Sequence, residues 1–299
     1  MLHERRFRAM NTDIGVWLES EDAEAARALE TASIFFEAVE QDLSRFRQNS
    51  ALSRLNAAAG QGPQAVSPIL RDVATLALKQ SEATDGVFDP TVFTALHRAG
   101  YVGSFETIGR ARGAATLAPR AAWREIRIDN STIDLPAGTG LDLGGIAKGW
   151  TVDRLAEKLR AFGPVLVDAG GDMRTFGKRD DEPWAVALAD PFRDGEEVAL
   201  FALCDEAIAT SSVGKRRWQQ DGRWHHHLID PRTQQPSTSD LHTVTVIGPS
   251  AVASEVASKV ALILGREAGT QFLAERGYSA VLIDHDGELS LVGQRLVAQ

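Results

Sequence analysis

Residues 141–149 read LDLGGIAKG and residues 167–172 read VDAGGD, and these two stretches decide the fold prediction. Each predicts a short apolar strand that leads to a pair of glycines, with an acid beside it, Asp142 or Asp172. The first stretch continues through Lys148 into a helix. Because glycine lets a ligand approach the main chain and a helix N-terminus presents free N–H groups, such a turn can bind phosphate. The two stretches predict a site for a phosphorylated ligand; the alternative is a turn that needs glycine only for its geometry.

The common nucleotide-binding motifs do not account for this glycine turn. A G-x-G-x-x-G fingerprint does not occur, and the nearest match, Gly138, Gly140 and Gly144, has the wrong spacing and precedes a strand. A P-loop of the form G-x-x-x-x-G-K-[ST] does not occur either. The sequence therefore argues against an ordinary dinucleotide-binding fold.

Length, charge and cysteine content indicate a globular protein and argue against nucleic-acid-binding, disulfide-linked and membrane-spanning classes. A chain of 299 residues with 43% hydrophobic content can bury a large core. The net charge of −9 and the pI near 5.3 argue against a nucleic-acid surface. The single cysteine, Cys204, excludes an intrachain disulfide. No apolar run approaches the roughly 18 residues of a membrane helix. The N-terminal sequence MLHERRFRAM lacks a signal core and a lipid-acceptor cysteine, so we expect a cytoplasmic protein.

Hydrophobic periodicity predicts alternating strands and helices along one domain. A strand is expected over 7–19 and helices over 21–47 and 67–84. Later helices are expected from Lys148 to Gly163, over 251–265 and over 267–275; further strands near 122–135, 164–168, 184–189, 197–203, 225–229 and 242–247; and a hairpin over 279–292. Because no linker or internal repeat divides the chain, we expect a single α+β domain over 1–299, with mixed sheets and packed helices.

A histidine-rich stretch is the next candidate for chemistry. His225 and His227 would share one face of a strand, with His226 on the other. His227 and Asp230 could act as a base and its partner at a strand end. A metal site made by His225 and His227 is a weaker interpretation, because no other histidine or cysteine pattern supports zinc. The structural alternative is a turn that begins at Asp230-Pro231.

Glu255 and Lys259 stand four residues apart on a predicted helix. A surface ion pair between them would contribute only about 0.3–0.5 kcal/mol. The functional alternative places Glu255 near the glycine turn as a ligand of a divalent cation.

Several short motifs follow one another in order through nearly the whole chain: M-N-T at 10–12, S-R-F at 44–46, S-A-L-S-R-L-N at 50–56, D-G-V-F-D-P-T at 85–91, D-L-G-G-I-A-K-G at 142–149, A-G-G-D at 169–172, A-T-S at 209–211, H-L-I-D-P-R-T at 227–233 and the helix with Glu255. Each motif is weak alone, but the ordered set resembles the ApbE flavin transferases, which are FAD:protein FMN transferases. The resemblance implies an ApbE-like, T-fold-like α+β fold.

The resemblance also implies an activity. Members of that family bind FAD, cleave its pyrophosphate with Mg²⁺, and join FMN through a phosphoester to a Ser or Thr hydroxyl of an acceptor flavoprotein, with release of AMP. The positions that match FAD-binding residues are Met10, Phe46, Val87, Phe88, Asp89, Asp142, Lys148 and Ile229. The metal positions map to the main-chain carbonyl of Gly145, to Glu255 and to Lys259, with Ser258 beside it. His227 or Asp230 is the candidate base.

Three departures bear on this expectation. Asn11 and Gln234 stand where the family usually has glycine, and both can reshape a loop. Glu255 and Lys259 stand where the family usually has aspartate and threonine; a protonated lysine has donors only and cannot bind a metal. An FAD pyrophosphatase and a flavin-binding protein without catalysis are therefore kept as alternatives.

Overall fold

The computed structural model describes residues 1–103, 116–214, 217–220 and 223–293. The described residues fall into two compact units. The first, here the sheet unit, is bounded by Met1–Glu37, Lys148–Ser212 and Asp240–Gln299. The second, here the insert unit, is bounded by Ala38–Ala147 and Val213–Ser239. A single domain over 1–299 stays a prediction.

Helices and strands do not alternate as predicted along the described part of the chain. The helices are α1 (Ala25–Leu43), α2 (Ala51–Ala57), α3 (Pro68–Ala83), α4 (Phe93–Arg98), α5 (Ala147–Leu159), α6 (Ala251–Leu264) and α7 (Arg266–Glu275), with a 3-10 helix at Ala122–Glu125. The strands are β1 (Leu2–Ala9), β2 (Thr12–Glu19), β3 (Gln64–Ala65), β4 (Arg127–Ile128), β5 (Thr132–Asp134), β6 (Val165–Ala169), β7 (Asp172–Phe176), β8 (Trp184–Ala189), β9 (Glu197–Leu203), β10 (Ala207–Ser212), β11 (Arg217–Gln220), β12 (Arg223–His226), β13 (Ile229–Asp230), β14 (Gln235–Pro236), β15 (Leu241–Gly248), β16 (Ser279–Asp284) and β17 (Leu289–Val292). Among these elements, the strands β6 to β15 follow one another between α5 and α6, and α6 leads directly to α7.

An eight-stranded sheet in the order β1-β2-β6-β7-β10-β15-β16-β17 forms the centre of the sheet unit. All strand pairs in the described part of the chain are antiparallel. Ile14, Val16 and Leu18 alternate along β2 and pack with buried residues of α1 and α5. Trp17 points to the other face, where the β8–β9 hairpin covers the sheet with Trp184 and its neighbours. The α+β class, with antiparallel sheets and packed helices, is confirmed.

The prediction of one strand over 7–19 is wrong. The chain turns between β1 and β2 at Met10 and Asn11, which have φ of 50° and 58°. A two-residue hairpin turn of type I′ needs positive φ at both central positions. The turn escaped detection because glycine, its usual marker, occupies neither position.

The glycine turn also departs from its prediction. Residues 141–143 are not a strand but irregular chain before α5. The main chain of Leu141 is held by Asn56, whose side-chain amide donates to the Leu141 carbonyl and accepts from its N–H, both at 2.8 Å. The helix prediction near 67–84 is confirmed: the Ser67 hydroxyl accepts from Leu70 N at 3.1 Å, and Pro68 begins α3.

The insert unit consists of short elements around a small core. Its sheets are β3-β5-β4, β11-β12 and β13-β14. The core packs α4 residues such as Leu96 against Tyr101, Trp218 and Ile229. The strand expected near 225–229 is divided between β12 and β13. Across the described residues, no helix has the length and apolar character needed to cross a membrane.

Candidate active site

Three ionisable side chains of the sheet unit form a group that we call the lysine cluster: Lys148, Asp172 and Glu255. They come from the first turn of α5, the first residue of β7 and the second turn of α6. Lys148 Nζ is ion-paired with Asp172 Oδ2 and lies 3.2 Å from Glu255 Oε1. The two acidic side chains are only 3% and 5% exposed, and Lys148 is 17% exposed. The single ammonium group of Lys148 is therefore ion-paired with two buried carboxylates.

Gly149 explains how α5 and α6 bring this cluster together. Its N–H donates to Glu255 Oε2 at 2.9 Å. A Cβ at Gly149 would lie 2.8 Å from the carbonyl carbon of Ala251, which no real side chain tolerates. The glycine is thus required for close packing of the two helix N-termini, a reason that the sequence interpretation did not contain.

Electrostatics keep Glu255 ionised. Burial alone would raise the pKa of its carboxyl group, but the positive charges of Lys148 and Lys259 and the hydrogen bond from Gly149 outweigh burial, so the pKa lies below its ordinary value. Lys259, four residues further along α6, therefore acts on Glu255 through its charge; the expected surface ion pair is wrong, because Glu255 is buried.

The N-terminus of α6 is capped from two directions. Ser250 Oγ accepts from Ala253 N at 3.1 Å. The Asp153 carboxylate accepts from Ala251 N at 2.8 Å and from Val252 N at 3.0 Å. Burial raises the pKa of Asp153, against the lowering effect of these hydrogen bonds. The first N–H groups of α6 are consequently occupied by protein carboxylate and hydroxyl oxygens.

Ser258, the hydroxyl proposed from the family pattern, is fully buried one turn further along α6. Its Oγ lies 2.9 Å from Ser211 Oγ and donates to the Glu255 main-chain carbonyl at 3.1 Å. The hydroxyl is therefore already engaged in protein hydrogen bonds, and Glu255 and Asp172 supply the anionic oxygens of this region.

The second glycine pair has a geometric explanation. Gly170 and Gly171 form the turn of the β6–β7 hairpin with φ of 65° and 96°. A Cβ at Gly170 would lie 2.1 Å from Thr12 Oγ1. For these two glycines the structural alternative accounts for the sequence, and Asp172 begins β7 rather than following the end of β6.

Met10 lies in the β1–β2 turn of the same unit. Its sulfur is 4.0 Å from Thr151 Oγ1 on α5, one turn after Lys148. Of the predicted ligand residues, the structure thus brings Lys148 and Glu255 into contact and places Met10 against α5.

In the insert unit a second group, here the arginine cluster, consists of Arg45, Phe46, Tyr101 and Asp142. Arg45 Nε lies 2.5 Å from Asp142 Oδ2, and Arg45 Nη1 donates to the Tyr101 carbonyl at 2.8 Å. The guanidinium carbon is 4.1 Å from the centre of the Phe46 ring and 4.2 Å from that of Tyr101. Arg45 and Asp142 are 6% and 10% exposed at the side chain, whereas Phe46 is 37% exposed.

Further aromatic rings continue from this cluster. Tyr101 stacks on Trp218 with ring centres 5.3 Å apart, and Trp218 stacks on His225 at 6.2 Å. Trp218 Nε1 donates to the Ala99 carbonyl at 2.8 Å. Sequence reasoning missed Arg45, Tyr101 and Trp218, because these residues are far apart in the chain and share no local pattern.

Asp89 is buried and forms a turn with Thr91. Its Oδ1 accepts from Thr91 N at 2.7 Å and from Thr91 Oγ1 at 2.5 Å. Burial raises the pKa of Asp89, although the two hydrogen bonds oppose the shift. The geometry is that of an Asx turn and not of a helix cap, because Val92 is the N-cap of α4 and no side chain caps that helix. The neighbouring Phe88 is buried and Val87 is half-buried.

Asp230 is held by the chain that follows it. Arg232 binds both carboxylate oxygens, with Nε 2.9 Å from Oδ1 and Nη2 2.9 Å from Oδ2, and Arg232 N donates to Oδ1 at 2.9 Å. Because Arg232 binds both carboxylate oxygens, Asp230 holds the turn that follows it, and the turn alternative describes Asp230 well. Ile229 is buried in the insert-unit core.

The neighbouring histidines have separate surroundings. His226 Nε2 lies 2.9 Å from the Ser237 carbonyl, and Leu228 N donates to its Nδ1 at 3.3 Å. His227 is half-buried. Within the described residues, no group of three or more His, Cys, Asp and Glu side chains could hold a metal. The weaker interpretation of a zinc site at His225 and His227 gains no support.

Comparisons with known proteins agree with this architecture. A model of the ApbE family matches residues 10–293. The FAD:protein FMN transferase of Klebsiella pneumoniae (strain 342) is 30% identical over 285 residues, which cover 91% of this chain and 81% of that protein. The FAD:protein FMN transferase of Treponema pallidum (strain Nichols) is 29% identical over 301 residues, with the same two coverages.

Solved structures show the same fold. The ApbE protein from Thermotoga maritima superposes with a TM-score of 0.86 at 24% identity and covers 98% of this chain and 97% of that chain. The flavin transferase ApbE from Vibrio cholerae superposes with a TM-score of 0.80 at 26% identity, with the same coverages.

Proposed function

The chain belongs to the ApbE family, and from this premise we propose that it is an FAD:protein FMN transferase. It would cleave FAD, attach FMN through a phosphoester to a Ser or Thr hydroxyl of an acceptor flavoprotein, and release AMP. The curated relatives with that name match nine tenths of the chain, which supports the proposal. The cytoplasmic location expected from the N-terminal sequence stays a prediction.

The lysine cluster is the observation that carries the chemistry. Lys148 places an ammonium group beside two buried acids at a helix N-terminus. Such a group can bind a phosphate oxygen and offset the charge that grows during phosphoryl transfer. Because Lys148 is partly exposed, its ammonium can reach a ligand while it retains one acidic partner.

The remaining FAD contacts are proposed unit by unit. In the sheet unit, Met10 and Lys148 are the candidates. In the insert unit, Phe46 offers a partly exposed ring and Asp142 a fixed carboxylate, and both belong to the arginine cluster. The other insert-unit candidates are Val87, Phe88, Asp89 and Ile229. Of these, Asp89 and Ile229 already have structural roles, so they would shape the site more than bind FAD.

Mg²⁺ is proposed with a revised set of residues. Glu255 is ionised and its carboxylate suits a divalent cation, and the Gly145 carbonyl remains the main-chain candidate. Ser258 fits less well because its hydroxyl bonds within the protein. When bound, the metal would offset charge on the phosphates. Lys148 and Lys259 place positive charge at Glu255, so we expect weak Mg²⁺ binding without FAD.

His227 is the preferred base. It would take the proton from the acceptor hydroxyl as the hydroxyl oxygen bonds to the FMN phosphorus and the bond to AMP breaks. Asp230, the other candidate, is neutralised by Arg232 and anchors the turn that follows His227. This assignment separates the two residues that the sequence left as alternatives.

The test uses the purified chain, FAD, Mg²⁺ and an acceptor flavoprotein, with intact-mass detection of the acceptor and chromatography of the nucleotides. Covalent flavin with release of AMP supports the transferase. Free FMN with unmodified acceptor means an FAD pyrophosphatase, and intact bound FAD means a binding protein.

His227→Asn should lower the transfer rate by about 10²–10⁴-fold, the usual contribution of a general base. Asp230→Asn should lower it less and should lower the melting temperature more. His226→Asn, at the last residue of β12 and directly before His227, serves as the neighbouring control and should transfer flavin at a near wild-type rate. Equal losses for His227→Asn and His226→Asn would exclude His227 as the base.

A further inference from the structure

The geometry points to Arg45 as a positioning residue of the FAD site: its guanidinium fixes the Asp142 carboxylate and the Phe46 ring in the orientation that binds ligand. Arg45 itself need not touch FAD. The inference rests on the proposed function, since Asp142 and Phe46 are proposed FAD residues.

The two oxygens of the Asp142 carboxylate differ: Oδ1 accepts a hydrogen bond, whereas Oδ2 is buried, has no hydrogen-bond partner among the described residues and faces the Arg45 cation as an ion pair. Oδ1 accepts from Gly144 N at 2.9 Å, and Oδ2 lies 2.5 Å from Arg45 Nε. The main chain is fixed as well, because Asp142 N donates to the Pro90 carbonyl at 2.7 Å. With its main chain and Oδ1 held by other groups, the carboxylate depends on Arg45 for the placement of Oδ2.

The Arg45 side chain is itself fixed by one hydrogen bond and by packing against two aromatic rings. It lies just after α1, donates to the Tyr101 carbonyl, and packs against the rings of Phe46 and Tyr101. Arg45 Nη2 is buried and finds no hydrogen-bond acceptor in the described part of the chain. The aromatic faces and Asp142 therefore compensate the guanidinium, and packing sets its position.

Arg45 also fixes the position of the Phe46 ring. Its ring is partly exposed and is supported from below by the guanidinium 4.1 Å away and by Tyr101, whose ring centre is 5.6 Å away. A ring that is already immobilised loses less side-chain freedom when a flat ligand packs on it. Removal of Arg45 would leave Asp142 buried without its cation and Phe46 without its support.

The test is a double-mutant cycle on FAD affinity, measured by calorimetry with Arg45→Met, Asp142→Asn and the double variant. Each single change should weaken FAD binding by about 10-fold or more, the usual size of a lost charge-assisted contact. Because Arg45 acts partly through Asp142, the fold-loss of the double variant should be clearly smaller than the product of the two single fold-losses, and the remainder of the Arg45 effect is its support of Phe46. Fold-losses that multiply would overturn the proposal.

Two further variants separate positioning from general stability. Arg45→Lys keeps the charge but not the planar fork, so it should recover only part of the affinity; it also replaces Arg45→Met in the cycle if that variant does not fold. Arg71→Met is the matched control, since Arg71 also contacts a carboxylate, Asp72, and a main-chain carbonyl, that of Asn130. It should leave FAD affinity unchanged, and an equal loss there would contradict the proposal.

Wild-type FAD binding separates the two levels of inference. If the wild type does not bind FAD, the proposed function fails. If the wild type binds FAD and the cycle is additive, only the role of Arg45 fails.

Discussion

The lysine cluster and the arginine cluster each place a cationic side chain beside buried carboxylates, but the two cations differ in shape and in number of contacts. Lys148 is a single ammonium shared between Asp172 and Glu255. Arg45 is a planar group that contacts one acid, one carbonyl and two aromatic rings. An ammonium group is a rotatable point charge, whereas a guanidinium is fixed by its shape. Lys148 is therefore suited to exchanging one carboxylate partner for a phosphate during a reaction, whereas Arg45 is suited to keeping Asp142 and Phe46 in one fixed arrangement.

The largest expected effect comes from removal of the shared ammonium. Lys148→Met would leave buried Asp172 without its ammonium partner and buried Glu255 with only the charge of Lys259, so the free energy of unfolding should fall by about 3–5 kcal/mol near pH 7.5, as for other broken buried ion pairs. Urea denaturation measures this loss. Lys158→Met is the control on the same helix, because Lys158 is exposed. A loss below about 1 kcal/mol would show that the cluster is hydrated rather than buried.

The same pair of proteins should differ in pH dependence. In the wild type the pKa of Glu255 is lowered, so its stabilising contribution is present above the unfolded-state pKa and is lost as the pH falls through the lower folded-state pKa. Without Lys148, only Lys259 and the hydrogen bond from Gly149 oppose the effect of burial, so the pKa of Glu255 should move upward and the cost of keeping this carboxylate ionised should be smaller in acid than at neutral pH. The stability gap between Lys148→Met and wild type should therefore shrink from pH 7.5 to pH 5. A gap that widens over this range contradicts the assignment of charges.

An intermediate effect should come from the arginine cluster. Arg45→Lys retains the charge but cannot contact Asp142 and the Tyr101 carbonyl while it also packs on two rings. The free energy of unfolding should fall by about 1–3 kcal/mol, the cost of one or two unsatisfied buried groups. Arg71→Lys, measured by the same urea method, should cost less than about 0.5 kcal/mol because Arg71 is on the surface. Similar losses at both positions would mean that planarity has no special value at Arg45.

The smallest effect should follow Lys259→Thr. Lys259 lowers the pKa of Glu255 by its charge, so its removal should tighten Mg²⁺ activation of FAD turnover. Because Lys259 is partly exposed and screened by solvent, the gain should be only about 2- to 10-fold in the Mg²⁺ concentration for half activation. Lys259→Arg keeps the charge and should resemble the wild type. Equal Mg²⁺ curves for Lys259→Thr and wild type would show that this lysine does not influence the metal.

Much of the fold could be predicted from local patterns. Helix α3 has a capping serine, Pro68 at its first position and apolar residues at helical spacing, so all its signals agree. The β1–β2 hairpin could not be predicted, because Met10 and Asn11 adopt positive φ without glycine. Leu141 and Leu143 are apolar and buried, as in a strand, but residues 141–143 form irregular chain before α5.

The site divides along the same line. The ordered motifs and the family resemblance led to Lys148, Glu255, Phe46 and Asp142. They did not show that Lys148 contacts Glu255 or that Arg45 contacts Asp142. Arg45 and Asp142 are far apart in the chain, as are Lys148 and Glu255, and no periodicity connects residues at such distances. Asp172 was noted for its glycines, while its ion pair with Lys148 became visible only in three dimensions.

The strand order also determines when the central sheet can fold during synthesis of the chain. β2 pairs with β6 about 150 residues later, and β10 must wait for β15, so the central sheet depends on contacts between distant segments. Topologies dominated by distant pairings fold slowly. The insert unit likewise combines Ala38–Ala147 with Val213–Ser239, so neither unit is complete while the first two thirds of the chain leave the ribosome. Partly made chains would expose the edge of β10, and an unpaired strand edge is a site where an incomplete chain can aggregate.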